Sequence, residues 1–205
     1  MKKLLALFAL LSVALACNLM NRKGSNTNSS SSSGTSTTSD GEPVEKANPT
    51  AAQQAAIANG QTVTWEQQGI TWTLPANWKK NTATTNMAQF GSGTQAFLIA
   101  SISAMASDFP TEISLNAFYS GAQTRKKNGE VDELKWLELD GVKGVQFRES
   151  KPEEADGIRR LQWITYRKYG GQTQMVNIIL SGSGGNFEKH QDELYGILYS
   201  MKLVH

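Results

Sequence analysis

The stretch Val131–Ser150, VDELKWLELDGVKGVQFRES, decides how the rest of the chain is read. Asp140–Gly141 stands at its centre, and Asp-Gly is a favoured pair for the tight turn of a β-hairpin. The flanking runs VDELKWLEL and VKGVQFRES are therefore two antiparallel strands. A second hairpin follows, in which Gly170–Gly171 joins GIRRLQWITYRKY to QTQMVNIILSG, and the polar loop KPEEAD links the two hairpins. Four strands in a row, each turned back on the last, predict a meander.

Upstream, TVTWEQQGITWTLP reads as two strands around Gln67–Gly69. Val63 and Trp65 share one face, as do Ile70, Trp72 and Leu74. Pro75 ends the second strand because it cannot donate to a ladder. QAFLIASISAM is a further, largely buried strand. SLNAFYSGAQTRKKNG is predicted as a helix with Ser114 as its cap, Leu115, Phe118, Tyr119 and Ala122 as its apolar stripe, and Asn128–Gly129 as its stop. The run NFEKHQDELYGILYSMKLV carries Phe187, Leu194, Ile197, Leu198 and Met201 at helical spacing and predicts one last amphipathic helix, entered through Asn186. Together these elements predict a single α+β domain over residues 61–205, with a mainly antiparallel sheet packed by helices. About 145 residues suffice for one such core.

The segment GITWTLPANWKK, with Trp78 three residues beyond Pro75, resembles the opening of PsbP/DcrB-like domains. The Ser114 helix, the meander and the final helix running into ILYSMKL extend the resemblance over residues 61–205. It implies a sandwich fold and a non-catalytic role in assembly or partner binding. It supplies no catalytic residue.

The first sixty residues have another character. Lys2 and Lys3 precede an uncharged, mostly apolar run from Leu4 to Ala16. Thirteen helical residues reach roughly 20 Å, against a bilayer core of about 30 Å, so the run suits a signal peptide (residues 1–16) better than a membrane span. Ala16 before Cys17, the chain's one cysteine, resembles the lipobox of bacterial lipoproteins. That resemblance implies cleavage before Cys17, acylation of Cys17, and attachment to a membrane outside the cytoplasm. Asn18 after the cysteine resembles the pattern exported to the outer membrane. GSNTNSSSSSGTSTTSDGEP then predicts a disordered Ser-rich linker, since nothing in it can bury a core. The linker is assigned to residues 17–60, within which NPTAAQQAAIANG is a weak Ala-rich helix capped by Thr50 and ended by Gly60.

Charge and chemistry narrow the function. The chain is formally +2, and removal of Lys2 and Lys3 leaves 18 basic residues against 18 acidic. A near-neutral domain is a poor nucleic-acid binder. Its one basic cluster, Arg125–Lys127, falls where cations oppose a helix dipole. Lipidation removes the only thiol, and two histidines remain, His190 on the last helix and His205. LSGSGGNFE lacks the nucleophile elbow, the third glycine of a dinucleotide loop and a P-loop lysine. Glu153, Glu154 and Asp156 lack a calcium-loop pattern, and no zinc ligand cluster is in evidence. No cofactor, metal or catalytic site is expected, and a hydrolase is the weakest reading. Trp65, Trp72, Trp136 and Trp163 fall inside strands and are expected in the core. Trp78, after the proline turn, is expected to be partly exposed and, with its neighbours Lys79 and Lys80, to contact a partner. The sequence thus points to a lipid-anchored envelope protein that binds an envelope partner, with a small-ligand or lipid carrier as the alternative.

Overall fold

The computed structural model describes residues 41–93, 95–154 and 156–204. The signal peptide, Cys17, the Ser-rich run through residue 40 and His205 lie outside them. The described chain carries β1 (Val44–Lys46), α1 (Ala51–Ile57), β2 (Gln61–Trp65), a 3-10 turn (Glu66–Gln68), β3 (Ile70–Leu74), β4 (Lys79–Ala83), β5 (Met87–Gly91) and β6 (Ala96–Ala104). Then come α2 (Thr111–Lys127), β7 (Val131–Leu139), β8 (Val142–Glu149), β9 (Ile158–Tyr169), β10 (Gln172–Ser183), α3 (Gly184–Lys189), α4 (Gln191–Tyr199) and β11 (Lys202–Leu203).

Eight strands form one sheet in the order β1-β7-β8-β9-β10-β6-β5-β4, and β11-β3-β2 form a second. Every pairing is antiparallel except that of β1 with β7. The meander is β7 to β10, and its turns are built as the dipeptides demand. Asp140 and Gly141 have φ of 49° and 83°, and Gly170 and Gly171 have φ of 57° and 79°. Positive φ at both central residues matches the right-handed twist of the strands they join.

Strand alternation divides the core in two. On one face of the large sheet Leu137, Leu139, Leu161, Trp163, Val176 and Ile178 meet Trp65, Ile70, Trp72 and Leu74 of the small sheet and Leu194, Ile197 and Leu198 of α4. On the other face Trp136, Val145, Phe147 and Ile164 meet Leu115, Tyr119 and Ala122 of α2. All five tryptophans are at most 1% exposed. Gly144 on β8 makes room for one of them. A Cβ there would stand 2.5 Å from Nε1 of Trp163, whose N–H donates to the carbonyl of Leu137 at 3.2 Å.

Three expectations are corrected. First, the domain takes in residues that were assigned to the linker. Val44 is buried, β1 pairs in register with Trp136–Glu138, and Ala47 N donates to Glu138 O at 3.1 Å. Glu45 meets Lys135 at 3.2 Å and Tyr119 donates to Glu42 at 2.7 Å. The Thr50 helix forms with a full capping box to Gln53 and packs on α4. A three-residue strand and a seven-residue helix are too short to be stable alone, so their place in the domain shows only in tertiary contacts.

Second, α2 begins at Thr111, with Pro110 at its N-cap, one turn before Ser114. Pro110 supplies the helix start that Ser114 was expected to give. The Ser114 hydroxyl instead pairs with that of Tyr166 at 2.6 Å. Third, the last helix is two. His190, with φ −103° and ψ 9°, breaks it between α3 and α4, and α3 starts after Ser183 rather than at Asn186. The chain then leaves α4 to pair Lys202 and Leu203 with Thr71 and Ile70.

Candidate functional site

Trp78 is 1% exposed, so it is no free surface aromatic. The turn after Pro75 folds its ring back onto the core, and Trp78 N donates to the Pro75 carbonyl at 2.9 Å. Its indole N–H donates to Glu193 Oε1 on α4 at 2.6 Å. The same oxygen lies 3.4 Å from Nδ1 of His190, whose Nε2 meets Gln95 Oε1 at 3.1 Å. His190 therefore holds the junction of α3 and α4 against the β5–β6 loop. Lys79 and Lys80 are exposed.

The two lysines begin β4, the last strand of the large sheet, whose pairing with β5 is interrupted at Asn81 by a bulge. Beside it lies β2, the last strand of the small sheet. The two edges are joined by side chains rather than by a backbone ladder. Gln61 donates to Trp78 O at 2.9 Å at one end, and Trp65 donates to Thr84 O at 2.7 Å at the other, where Gln68 also reaches Thr85 O. Between these ties is a groove of about 440 Å³, lined by Val63, Leu74, Ala76, Trp78 and Phe90 and rimmed by Gln61, Thr64, Lys79 and Lys80. The expected trio thus meets at one place, with the tryptophan as floor and the lysines as rim. The ring of Trp78 was misjudged because adjacent lysines suggest solvent, whereas the turn after Pro75 and the hydrogen bond to Glu193 hold it inward.

A second polar cluster escaped the sequence altogether. Glu133 on β7 accepts from the Tyr195 hydroxyl and from Gln146 Nε2 (2.7 Å), and lies 3.5 Å from Arg148 and 3.7 Å from Lys135. Arg148 also donates to Asp132 at 2.7 Å and to the Tyr195 oxygen at 3.2 Å, while Tyr199 donates to Gln146 at 3.2 Å. Burial, then the Glu133 charge and hydrogen bond, pushes the Tyr195 hydroxyl far above its ordinary value. Burial also raises Tyr199, against the opposing charge of Lys135. Burial opposes the charge of Lys135, yet Tyr199, Glu133 and Glu45 outweigh it and raise its pKa. These groups are locked to one another, and their chemical effect is to bolt α4 to β7 and β8.

Arg167 on β9 is a third oddity. It is 8% exposed, and its Nη2 donates to the carbonyl of Gln68 at 2.6 Å and to Gln68 Oε1 at 3.2 Å. Its guanidinium sits 4.4 Å from the centre of the Tyr169 ring. No described carboxylate pairs with it, and burial lowers its pKa.

Among the described residues no group of three or more His, Cys, Asp or Glu side chains is placed to hold a metal ion. No described helix is long and apolar enough to cross a membrane. The space between the sheets, where a carrier would hold its cargo, is filled by Trp72, Phe90, Leu98, Trp163 and Ile178, each at most 1% exposed.

The domain is thus an α+β sandwich in which a long antiparallel sheet lies between α2 and a layer made of the small sheet with α3 and α4. No family model matches the sequence, and no curated protein matches it closely enough to count as a relative. Solved structures do match. LpqN, described as involved in cell envelope biogenesis of Mycobacterium tuberculosis, aligns at 11% identity over 71% of this chain and 86% of its own, with a TM-score of 0.50. The cyanobacterial PsbP of Synechocystis aligns at 13% identity over 70% of this chain and 92% of its own, with a TM-score of 0.45. A protein from Bacteroides thetaiotaomicron aligns at 13% identity with a TM-score of 0.42, over 66% of this chain and 45% of its own length. The likeness to LpqN is one of fold.

Proposed function

We propose that this chain is a lipid-anchored envelope protein whose domain is a non-catalytic protein-interaction module. The observation that carries the reading is the groove between β4 and β2, which joins an open strand edge, an apolar floor and a cationic rim at one surface site. The lipobox-like Ala16–Cys17 supports attachment through Cys17, and Asn18 supports the outer membrane. The envelope role of LpqN, a protein of the same fold, agrees with that setting.

Two experiments test the two halves. A photo-cross-linking residue at position 80, introduced in intact cells, is expected to capture one envelope protein reproducibly, while the same residue at exposed Ile113 on α2 does not. Equal capture from both positions would refute the groove as the contact. Cys17→Ser is expected to release the processed protein from the membrane fraction, and a correctly cleaved variant that stays with the membrane would refute the anchor.

A further inference from the structure

The interaction reading can be taken further, to the kind of segment the groove accepts, and the inference rests on that reading. The outer edge of β4 has no ladder partner among the described residues, and neither has that of β2. The ties at Gln61–Trp78 and Trp65–Thr84 leave the stretch between them unpaired. Five residues of β2 at about 3.3 Å each span roughly 16 Å, enough for a strand of four or five residues. Unpaired strand edges recruit extended chains, because main-chain hydrogen bonds supply affinity while side-chain pockets supply choice.

Charge then selects the occupant. Lys79 and Lys80 are exposed, and neither makes an ion pair with a described residue. Glu193 of α4, which holds the Trp78 ring, is already engaged by Trp78 and His190. A second copy of this chain, offering its own β4 of sequence KKNTA, would add more lysines and bring no carboxylate to meet them. Lysines and a bulge guard an edge against self-association, and the same lysines favour a partner of opposite charge. The bulge at Asn81 also limits any added ladder to a short one.

We propose that the groove binds a short, extended, acidic segment of a partner protein, which adds as a strand to the outer edge of β4. Its apolar residues cover Val63 and its carboxylates pair with Lys79 and Lys80.

The test uses the full-length processed protein in detergent micelles. The probe is an acetylated, amidated seven-residue peptide of alternating threonine and valine that carries two adjacent glutamates. Two companions have lysines for the glutamates, or proline at the central position. The acidic peptide is expected to bind, to slow amide exchange within residues 79–83, and to weaken at least about fivefold as salt rises to several hundred millimolar. The double variant Lys79→Glu, Lys80→Glu, changed only at exposed positions, is expected to lose about tenfold or more and to prefer the lysine peptide. The proline peptide is expected to fail, because it cannot complete the ladder. Binding of the proline peptide as tight as that of the acidic one, or no slowing of exchange in 79–83, would overturn strand addition. Equal binding of the lysine peptide would overturn the choice of an acidic segment. Neither result would touch the broader interaction reading, which falls only with the cross-linking experiment.

Discussion

Replacing Gly196 with alanine separates two accounts of residues 50–58. Gly196 lies inside α4, and a Cβ built on it would stand 2.5 Å from the carbonyl oxygen of Gln53 and 3.2 Å from Cγ2 of Ile57. Both atoms belong to α1. Were α1 a loosely attached piece of linker, it would move aside. The substitution would then gain the helix propensity of alanine over glycine, about 1 kcal/mol. With α1 packed as part of the domain, the new methyl group forces backbone apart, and overpacking of that kind costs about 1–3 kcal/mol. The balance is a net loss of about 1 kcal/mol, or some 2–4 °C in Tm for a domain of this size. Gly121 on α2 is the control, because nothing stands within 4 Å of a Cβ built there. Gly121→Ala should gain about 0.5–1 kcal/mol. Urea titration followed by tryptophan fluorescence gives both numbers, and amide exchange over residues 51–57 reports whether α1 has been loosened. Stabilisation by Gly196→Ala equal to that by Gly121→Ala, with unchanged exchange in α1, would refute the packing of this segment.

Two further outcomes follow from the network around Glu133 and the buried tyrosines. Glu133→Gln keeps the shape but removes the charge facing Arg148 and Lys135, and turns a donor toward Tyr195 or Gln146; a loss of about 1–3 kcal/mol is expected in urea titration, and a loss below 0.5 kcal/mol would contradict the network's role. Burial raises the pKa of Tyr119, Tyr195 and Tyr199 in the fold, with Glu42 and Glu133 adding to it for the first two. Their contribution to stability is therefore complete below the unfolded value of about 10 and is lost as pH rises above it. Absorbance near 295 nm should show these three ionising at higher pH than an unfolded tyrosine, and stability should fall as pH rises through about 10; full ionisation of all five tyrosines without unfolding would contradict their burial.

The meander was legible because its turns are written in dipeptides that few other structures use, and because Leu137, Trp163 and Ile178 lie among strand-forming neighbours. Ile70, Trp72 and Leu74 were legible for the same reason. What escaped was whatever depends on a distant partner. Val44–Lys46 is a strand only because β7 has a free edge, and Lys202–Leu203 only because β3 has one. Lys79–Ala83 is too polar to announce a strand, as an edge often is. At the candidate site the exposure of Trp78 was misread, since its burial depends on Glu193, more than a hundred residues away. The Glu133 network shows the same limit: its members come from β7, β8 and α4, and no local pattern gathers them.

The pairing of β11 with β3 also has a consequence for synthesis. Leu203 sits opposite Ile70, and Thr73 N donates to the Ser200 hydroxyl at 2.9 Å. The small sheet therefore waits for more than 120 residues after β3 has been made. Until then Ile70, Trp72 and Leu74 have neither β11 at their edge nor α4 at their face. Contacts so far apart in sequence place a late loop closure on the folding route. A chain still held on the ribosome cannot complete the small sheet until Lys202 and Leu203 have emerged, so three large apolar side chains depend on a pairing made late.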